Sequence, residues 1–155
     1  MKERSREEQA TRAPSEGDHG CMTATHLGTG SDDPQVAEAL AAEYETLSPE
    51  CRADPDRLNW FLAPDFHKFG ASGGEIEYQG TAQCVAAYTD PAGEPIKAER
   101  VRGLRLADGL VMVKYSANIN GKWSNRTSLW RRVAPMHWQM FHHQGTPTGG
   151  PNGTS

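Results

Sequence analysis

The sequence has few of the features that mark membrane, secreted or nucleic-acid-binding proteins. No apolar run in its 155 residues approaches the roughly 18–20 residues that a membrane span needs. The charged start MKERSREEQATR is followed by no hydrophobic stretch, which argues against a secretory signal. The net charge is −4 and no run of Lys and Arg exceeds two residues, so a basic face for nucleic acid is not expected. We therefore expect neither a membrane nor a nucleic acid as a partner.

Cysteines and cofactor motifs are equally sparse. The three cysteines (Cys21, Cys51 and Cys84) are widely spaced and form no CxxC pair, a pattern typical of free thiols in a reducing, cytoplasmic setting. GxSxG, GxGxxG and Walker sequences are absent, and GTGSDD follows no predicted strand. Nucleophilic catalysis is therefore poorly supported, and we expect no cofactor.

Composition predicts one domain with polar ends. Residues 1–31 combine charge, Gly, Ser and Thr with almost no large apolar side chains, which predicts a disordered extension. Met22 offers an alternative start within it. The tail over 148–155 is also predicted to be flexible, so a single domain is expected over 32–147.

Helix signals come first along the chain. The stretch SDDPQVAEALAAEYETLSPE opens with capping residues and Pro34, and its apolar residues recur at helical spacing: Val36, Leu40, Tyr44 and Leu47. Ser48-Pro49 and Asp54-Pro55 predict two further helix starts, and TAQCVAAYTD predicts a fourth helix.

Strand signals dominate afterwards. DFHKFGASGGEIEYQG reads as a short hairpin, and four longer strands are predicted over 96–106, 110–119, 122–133 and 137–145. Asp108-Gly109 and Asn120-Gly121 are strong hairpin turns because their residues tolerate a positive φ, and Ala134-Pro135-Met136 forms the third turn. Helices followed by an antiparallel meander predict an α+β fold.

Turn lengths predict which side chains face the helices. Two-residue turns place Leu106 opposite Val111 and Tyr115 opposite Arg126, and the third turn places Trp130 opposite Met140 and Ser128 opposite His142. The predicted inner face is apolar at one end and polar at the other, which is typical of a ligand pocket. A bulge in FHHQ would turn His143 inward instead of His142. The predicted inner residues are Arg102, Leu104, Leu106, Val111, Val113, Tyr115, Arg126, Ser128, Trp130, Met140, His142 and Gln144.

The residues LSPECRADPDRLNWFLAPDFHKFGASGGEIEY, RTSLWRR and HQGTP resemble a DUF4440-type branch of the NTF2-like superfamily, akin to SnoaL-like proteins. The resemblance covers about 36–147. It implies an α+β cone, in which helices pack on a curved antiparallel sheet around a pocket, and frequent homodimerisation through the outer sheet face. The branch often has Asp-Phe-x-Glu-Phe-Gly, whereas DFHKFG places Lys68 at the acid position.

The predicted function is the binding of a small, partly apolar organic ligand in the cone. If the protein is catalytic, we expect isomerase, cyclase or dehydratase chemistry without a cofactor, with His142 or His143 as the base. Arg126 and Tyr115 would hold an enolate or a carboxylate. The predicted ligand-binding residues are Tyr78, Arg102, Ser128, Trp130, Met140 and Gln144.

Three interpretations compete with this one. Adjacent histidines on a strand point to opposite faces, so no metal site is expected. Arg126 and a histidine could simply satisfy each other at the cone mouth, since no acid has an evident place in the pocket and Lys68 reads as a surface or interface charge. The chain would then be a non-catalytic dimerisation or protein-interaction module.

Overall fold

The computed structural model describes residues 32–70, 75–76, 85–86, 89, 93 and 95–150. The predicted extension over 1–31, most of the predicted fourth helix, Tyr78 and residues 151–155 lie outside this part. Its helices and strands are α1 (Pro34–Leu47), α2 (Pro49–Arg52), α3 (Pro55–Phe61), β1 (Leu62–Phe69), β2 (Glu75–Ile76), β3 (Lys97–Ala107), β4 (Leu110–Ile119), β5 (Lys122–Ala134) and β6 (His137–Thr148).

Each described helix begins where a capping side chain precedes a proline. Asp33 accepts a hydrogen bond from the Gln35 amide at 3.0 Å, and Ser48 accepts one from the Cys51 amide at 3.1 Å. Asp54 caps α3 in the same way. These contacts satisfy amides that have no partner inside the helix. The three predicted helix starts are confirmed.

The buried face of α1 differs from the predicted one. Tyr44, which was expected on the apolar stripe, is 52% exposed. The buried residues are Val36, Ala39, Ala42, Glu43 and Thr46. The helix turns its small alanines toward the sheet, because small side chains allow the closest approach of helix and sheet. One consequence is that an acidic residue, Glu43, is buried.

The six strands form one sheet in the order β2-β1-β6-β5-β4-β3. Neighbouring strands are antiparallel except β1 and β6, which run parallel. The predicted α+β architecture, with N-terminal helices on a sheet, is confirmed, but the sheet is mixed rather than wholly antiparallel. The predicted pairs Tyr115–Arg126 and Trp130–Met140 are also confirmed.

Two register shifts correct the predicted inner face. The first lies between Arg105 and Ala107, so that Val111 pairs with Arg105 instead of Leu106. Leu106 is 41% exposed as a result. Arg102 and Leu104, which pair with Lys114 and Met112, therefore lie on the outer face, and Gly103 takes the inner position.

The second shift lies on β5 and β6 between the Trp130–Met140 and Leu129–His142 pairs. Phe141 is the additional residue of a β-bulge, which moves every later side chain of β6 to the opposite face. Ser128 pairs with His143, so the predicted Ser128–His142 pair is wrong. The alternative register, with His143 inward, is the one that the structure adopts.

Close packing of α1 on β3 generates a first prediction. A Cβ atom on Gly103 would lie 2.4 Å from Cγ1 of Val36. We expect Gly103→Ala to lower the free energy of unfolding by about 1–3 kcal/mol, since overpacking forces the helix away from the sheet. Urea unfolding measures the loss. The same substitution in a Val36→Ala background should cost less, and an equal cost in both backgrounds would contradict this packing.

Candidate functional site

A cavity of about 150 Å³ lies between the helices and the middle of the sheet. Behind it the inner face is apolar, with Val111, Val113 and Trp130 fully buried. Around it the side chains are mostly polar or charged. The lining residues are Glu43, Thr46, Leu47, Arg52, Lys68, Ile96, Tyr115, Ile119, Arg126, Met140 and His143.

Glu43 is the acid of this cavity. It lies on α1 with none of its surface exposed, and its Oε2 accepts a hydrogen bond from the Trp130 indole at 2.7 Å. Its Oε1 makes no hydrogen bond of normal length to a described residue. Burial raises the pKa of Glu43 above 4.5, although the Trp130, Ser128 and Tyr115 side chains and the Arg126 charge oppose the shift.

His143 lies on β6 across the cavity and is 3% exposed. Its Nδ1 is 3.0 Å from the Ser128 hydroxyl, and its Nε2 has no hydrogen-bond partner among the described residues. Burial, assisted by the charges of Arg126, Lys68 and His142, holds the pKa of His143 well below 6.5. The imidazole is therefore neutral at neutral pH.

Glu43 and His143 form a pair of proton carriers. Each lines the cavity and has one buried polar atom with no hydrogen-bond partner among the described residues. Burial raises the pKa of Glu43 and lowers that of His143, and so favours the neutral form of both groups. Two proton carriers on one cavity are an arrangement that general acid–base chemistry uses.

The described part of the cavity wall also carries three cations: Arg52, Lys68 and Arg126. Burial and repulsion from Arg126 and Arg52 lower the pKa of Lys68 below 10.5. The Ser124 hydroxyl accepts a hydrogen bond from Nε of Arg126 at 3.0 Å and so orients that guanidinium. The charges of Lys68, Arg52 and Arg126 therefore act on one another within the wall of one cavity.

Comparisons with known proteins bear on the fold alone. No family model matches the chain, and no curated protein matches it. Among solved structures, an NTF2-like protein from Cytophaga hutchinsonii is 18% identical, with a TM-score of 0.58, covering 70% of this chain and 94% of its own. A candidate ketosteroid isomerase from Parabacteroides distasonis is 18% identical, with a TM-score of 0.54 over 72% and 86%. The S. rosetta CaMKII hub is 12% identical, with a TM-score of 0.60 over 75% and 98%.

The chain has the NTF2-like fold. The predicted NTF2-like fold is confirmed, while membership of the superfamily and of its DUF4440 branch stays a prediction. The cavity therefore lies in the cone between the helices and the sheet.

The structure separates the residues that sequence reasoning assigned to one pocket. Tyr115, Arg126, Met140 and His143 surround the cone cavity. Ser128 and Trp130 are buried beside it, where they hold His143 and Glu43. Their assigned roles in catalysis and binding stay predictions.

Three of the predicted site residues lie away from the cavity. His142 stacks on His67 with ring centroids 5.8 Å apart, and burial and the His67 charge lower its pKa below 6.5. Gln144 is exposed. Arg102 lines a separate groove with Arg100 and Lys114. The β-bulges are the reason, since they reverse the face of each of these positions.

Sequence reasoning missed Glu43 and gave Lys68 a surface position. The signal for Glu43 was the helical spacing of Val36, Ala39, Glu43 and Thr46, which would have been found by giving small residues equal weight with large ones. Lys68 follows the buried Phe66 by two residues on β1 and so shares its face. Its signal was therefore strand alternation.

The described residues support neither a metal site, nor a membrane-spanning helix, nor a reactive cysteine. No three metal-ligating side chains converge in this part of the chain, and none of its helices is long and apolar enough to cross a membrane. The Cys51 thiol is buried, and burial together with the Asp54 charge raises its pKa to about 11. A thiolate nucleophile is therefore not expected there.

The buried carboxyl group generates a second prediction. The pKa of Glu43 is raised above 4.5, so wild-type stability should fall as pH rises from 4.5 through the raised pKa. Glu43→Gln keeps an acceptor for Trp130 without the charge. We expect its melting temperature to exceed that of wild type by a few degrees at pH 7–8, and by less near pH 4.5.

Glu38→Gln is the matched control, because Glu38 lies on the same helix and accepts a hydrogen bond from the Trp138 indole at 2.7 Å, but does not line the cavity. The melting temperature of Glu38→Gln should not exceed that of wild type by an amount that grows with pH. Equal pH profiles for the two variants would contradict the assignment of Glu43 as a buried, charge-destabilised acid.

Proposed function

We propose that the cone binds a small organic carboxylate and moves a proton on the carbon skeleton next to its carbonyl group. The observation that carries this proposal is that Glu43 and His143 face one cavity, each with a buried polar atom that has no hydrogen-bond partner among the described residues. Arg126, Lys68 and Tyr115 line the same cavity and supply positive charge and a hydroxyl for the anion. An isomerisation, cyclisation or dehydration that proceeds through an enolate fits this arrangement.

The hydrogen bonds of the two groups indicate which is the base and which is the acid. If Nδ1 of His143 donates to Ser128, Nε2 is left as the base, and it can take a proton from carbon. The enolate oxygen formed in this step receives hydrogen bonds and charge from Arg126, Lys68 and Tyr115. Glu43 in its protonated form, which burial favours, returns a proton to a second carbon in an isomerisation or to a leaving hydroxyl in a dehydration.

Cavity size limits what enters the site. The described walls enclose about 150 Å³, about half of the roughly 300 Å³ at which ligand pockets usually begin. Only a compact head group can therefore reach Glu43 and His143. The reacting part of the ligand is expected to be the carboxylate with its neighbouring carbons.

Hydrogen–deuterium exchange tests the chemistry. Pyruvate and 2-oxobutyrate are incubated with the protein in D₂O, and loss of their carbon-bound proton signals is followed by NMR. We expect wild type to accelerate the exchange, with a rate that declines only below pH 6.5 because the pKa of His143 lies under that value. His143→Gln should lose about 100-fold or more, because it removes the base that takes the carbon-bound proton. Glu43→Gln should lose less, because Glu43 acts on a second atom that this exchange does not involve.

His142→Gln is the control for this assay, since His142 is adjacent in sequence but lies on the other face of the sheet. It should retain the wild-type rate within about twofold. No acceleration by wild type, or equal losses in His142→Gln and His143→Gln, would sink the proposed chemistry.

A second proposal concerns self-association as a cytoplasmic homodimer. The registers align Leu104, Met112 and Leu129 in one row across the outer face of three strands, none of them fully buried. The hub among the structural neighbours supports an association role for this fold. An apolar row on an uncovered sheet face is typical of an interface.

Charge reversal tests the dimer. Met112→Lys places a cation in the middle of the row, and light scattering after size-exclusion chromatography gives the mass. We expect wild type near twice the chain mass of 17.0 kDa and the variant near 17.0 kDa. Lys114→Glu, two residues along the same face, is the control for a general charge effect. A monomeric wild type would contradict this proposal.

A further inference from the structure

A second, larger cavity opens beyond the first at the tips of the β4–β5 and β6 strands. It measures about 460 Å³, and Ile119, Trp123 and Pro147 form much of its wall. Lys122 and Arg126 add two cations to the same wall. A mostly apolar cavity with cations at its border is suited to an amphipathic anion rather than to a fully polar one.

The two cavities share part of their walls. Ile119 and Arg126 line both of them. Arg126 is held in this position by its hydrogen bond to Ser124. One guanidinium is thus placed where it can contact a ligand that occupies both cavities.

Small side chains lie on the inner face near the wall that the two cavities share. Ala117 lies between Tyr115 and Ile119 on β4, and Gly145 lies between His143 and Pro147 on β6. Gly145 pairs with Arg126, and Ser124 pairs with both Ala117 and Pro147. The strands therefore carry an alanine, a serine and a glycine there, where larger side chains would leave less space for a ligand that extends from one cavity to the other.

We propose that the ligand is an aryl-substituted small carboxylate, whose head occupies the inner cavity and whose flat apolar tail lies against Trp123 in the outer one. This inference rests on the proposed function and names its substrate class. The head is limited by the inner 150 Å³, whereas the outer 460 Å³ admits a single aromatic ring. Arg126, which lines both cavities, contacts the carboxylate of the head from the shared wall, and the indole of Trp123 stacks on the ring.

Binding of two unreactive acids tests the inference independently of any chemistry. Propionate represents the head alone, and 3-phenylpropionate adds the ring; calorimetric titration gives both dissociation constants. We expect 3-phenylpropionate to bind wild type at least about tenfold more tightly, since the ring buries a large apolar area. Trp123→Ala should abolish most of this gain and Trp123→Phe should keep it, while propionate binding changes less than about twofold in both.

Trp60→Ala is the matched control, because Trp60 is 55% exposed and lines neither cavity. It should leave the binding of both acids unchanged. Arg126→Gln should weaken both acids, as expected of a residue on the shared wall. Melting temperatures of all variants identify any loss of binding that is due to misfolding.

The outcomes separate this inference from the proposed function. Equal affinities of the two acids for wild type, or equal effects of Trp123→Ala and Trp60→Ala, would overturn the aryl tail and leave proton exchange on pyruvate unaffected. If another segment or a second copy of the chain fills the outer cavity, the ring gains nothing and the inference fails. Tight, Trp123-dependent binding without proton exchange would support the ligand class and remove only the chemistry.

Discussion

The hydrogen bond between the Trp130 indole and the Glu43 carboxylate joins α1 to the centre of the sheet across 87 residues of sequence. A charged group without exposure to water is costly unless it is paired or protonated. Here the indole satisfies one oxygen and leaves the other to the cavity. The same contact therefore orients the helix and keeps a proton-binding group inside the cone, so that the packing of α1 and the position of the proposed acid depend on one pair of side chains.

Charged side chains gather in the described part of the cone. Arg52, Lys68 and Arg126 line the same cavity as Glu43, whose pKa is raised by burial. The expected gain of Glu43→Gln in thermal stability measures the cost of burying this acid. In the proposed function, the ionisable groups that line the cavity hold the ligand and move its proton.

Two β-bulges decide which side chains meet in the cone. The bulge at Phe141 turns His143 inward and His142 outward, and the bulge near Leu106 exchanges Arg102 for Gly103 on the inner face. Each bulge allows a contact with a neighbouring strand or helix. His143 reaches Ser128, and Gly103 allows Val36 of α1 to approach the sheet.

Local signals were sufficient for the order of elements and for much of the topology. Capping chemistry acts within a few residues and determines where the helices start, at Asp-Pro and Ser-Pro. Turn chemistry is equally local and determines the turns at Asp108-Gly109 and Asn120-Gly121, and with them the Tyr115–Arg126 pair. Tertiary packing decided three further features: the inner position of Glu43, the cavity contact of Lys68 and the orientation of the two histidines. A bulge leaves no trace in side-chain alternation, and an alanine-rich helix offers two faces of similar apolarity. Only packing against the sheet selects between them, because close approach favours the small side chains and the indole of Trp130 supplies the one partner that a buried acid needs.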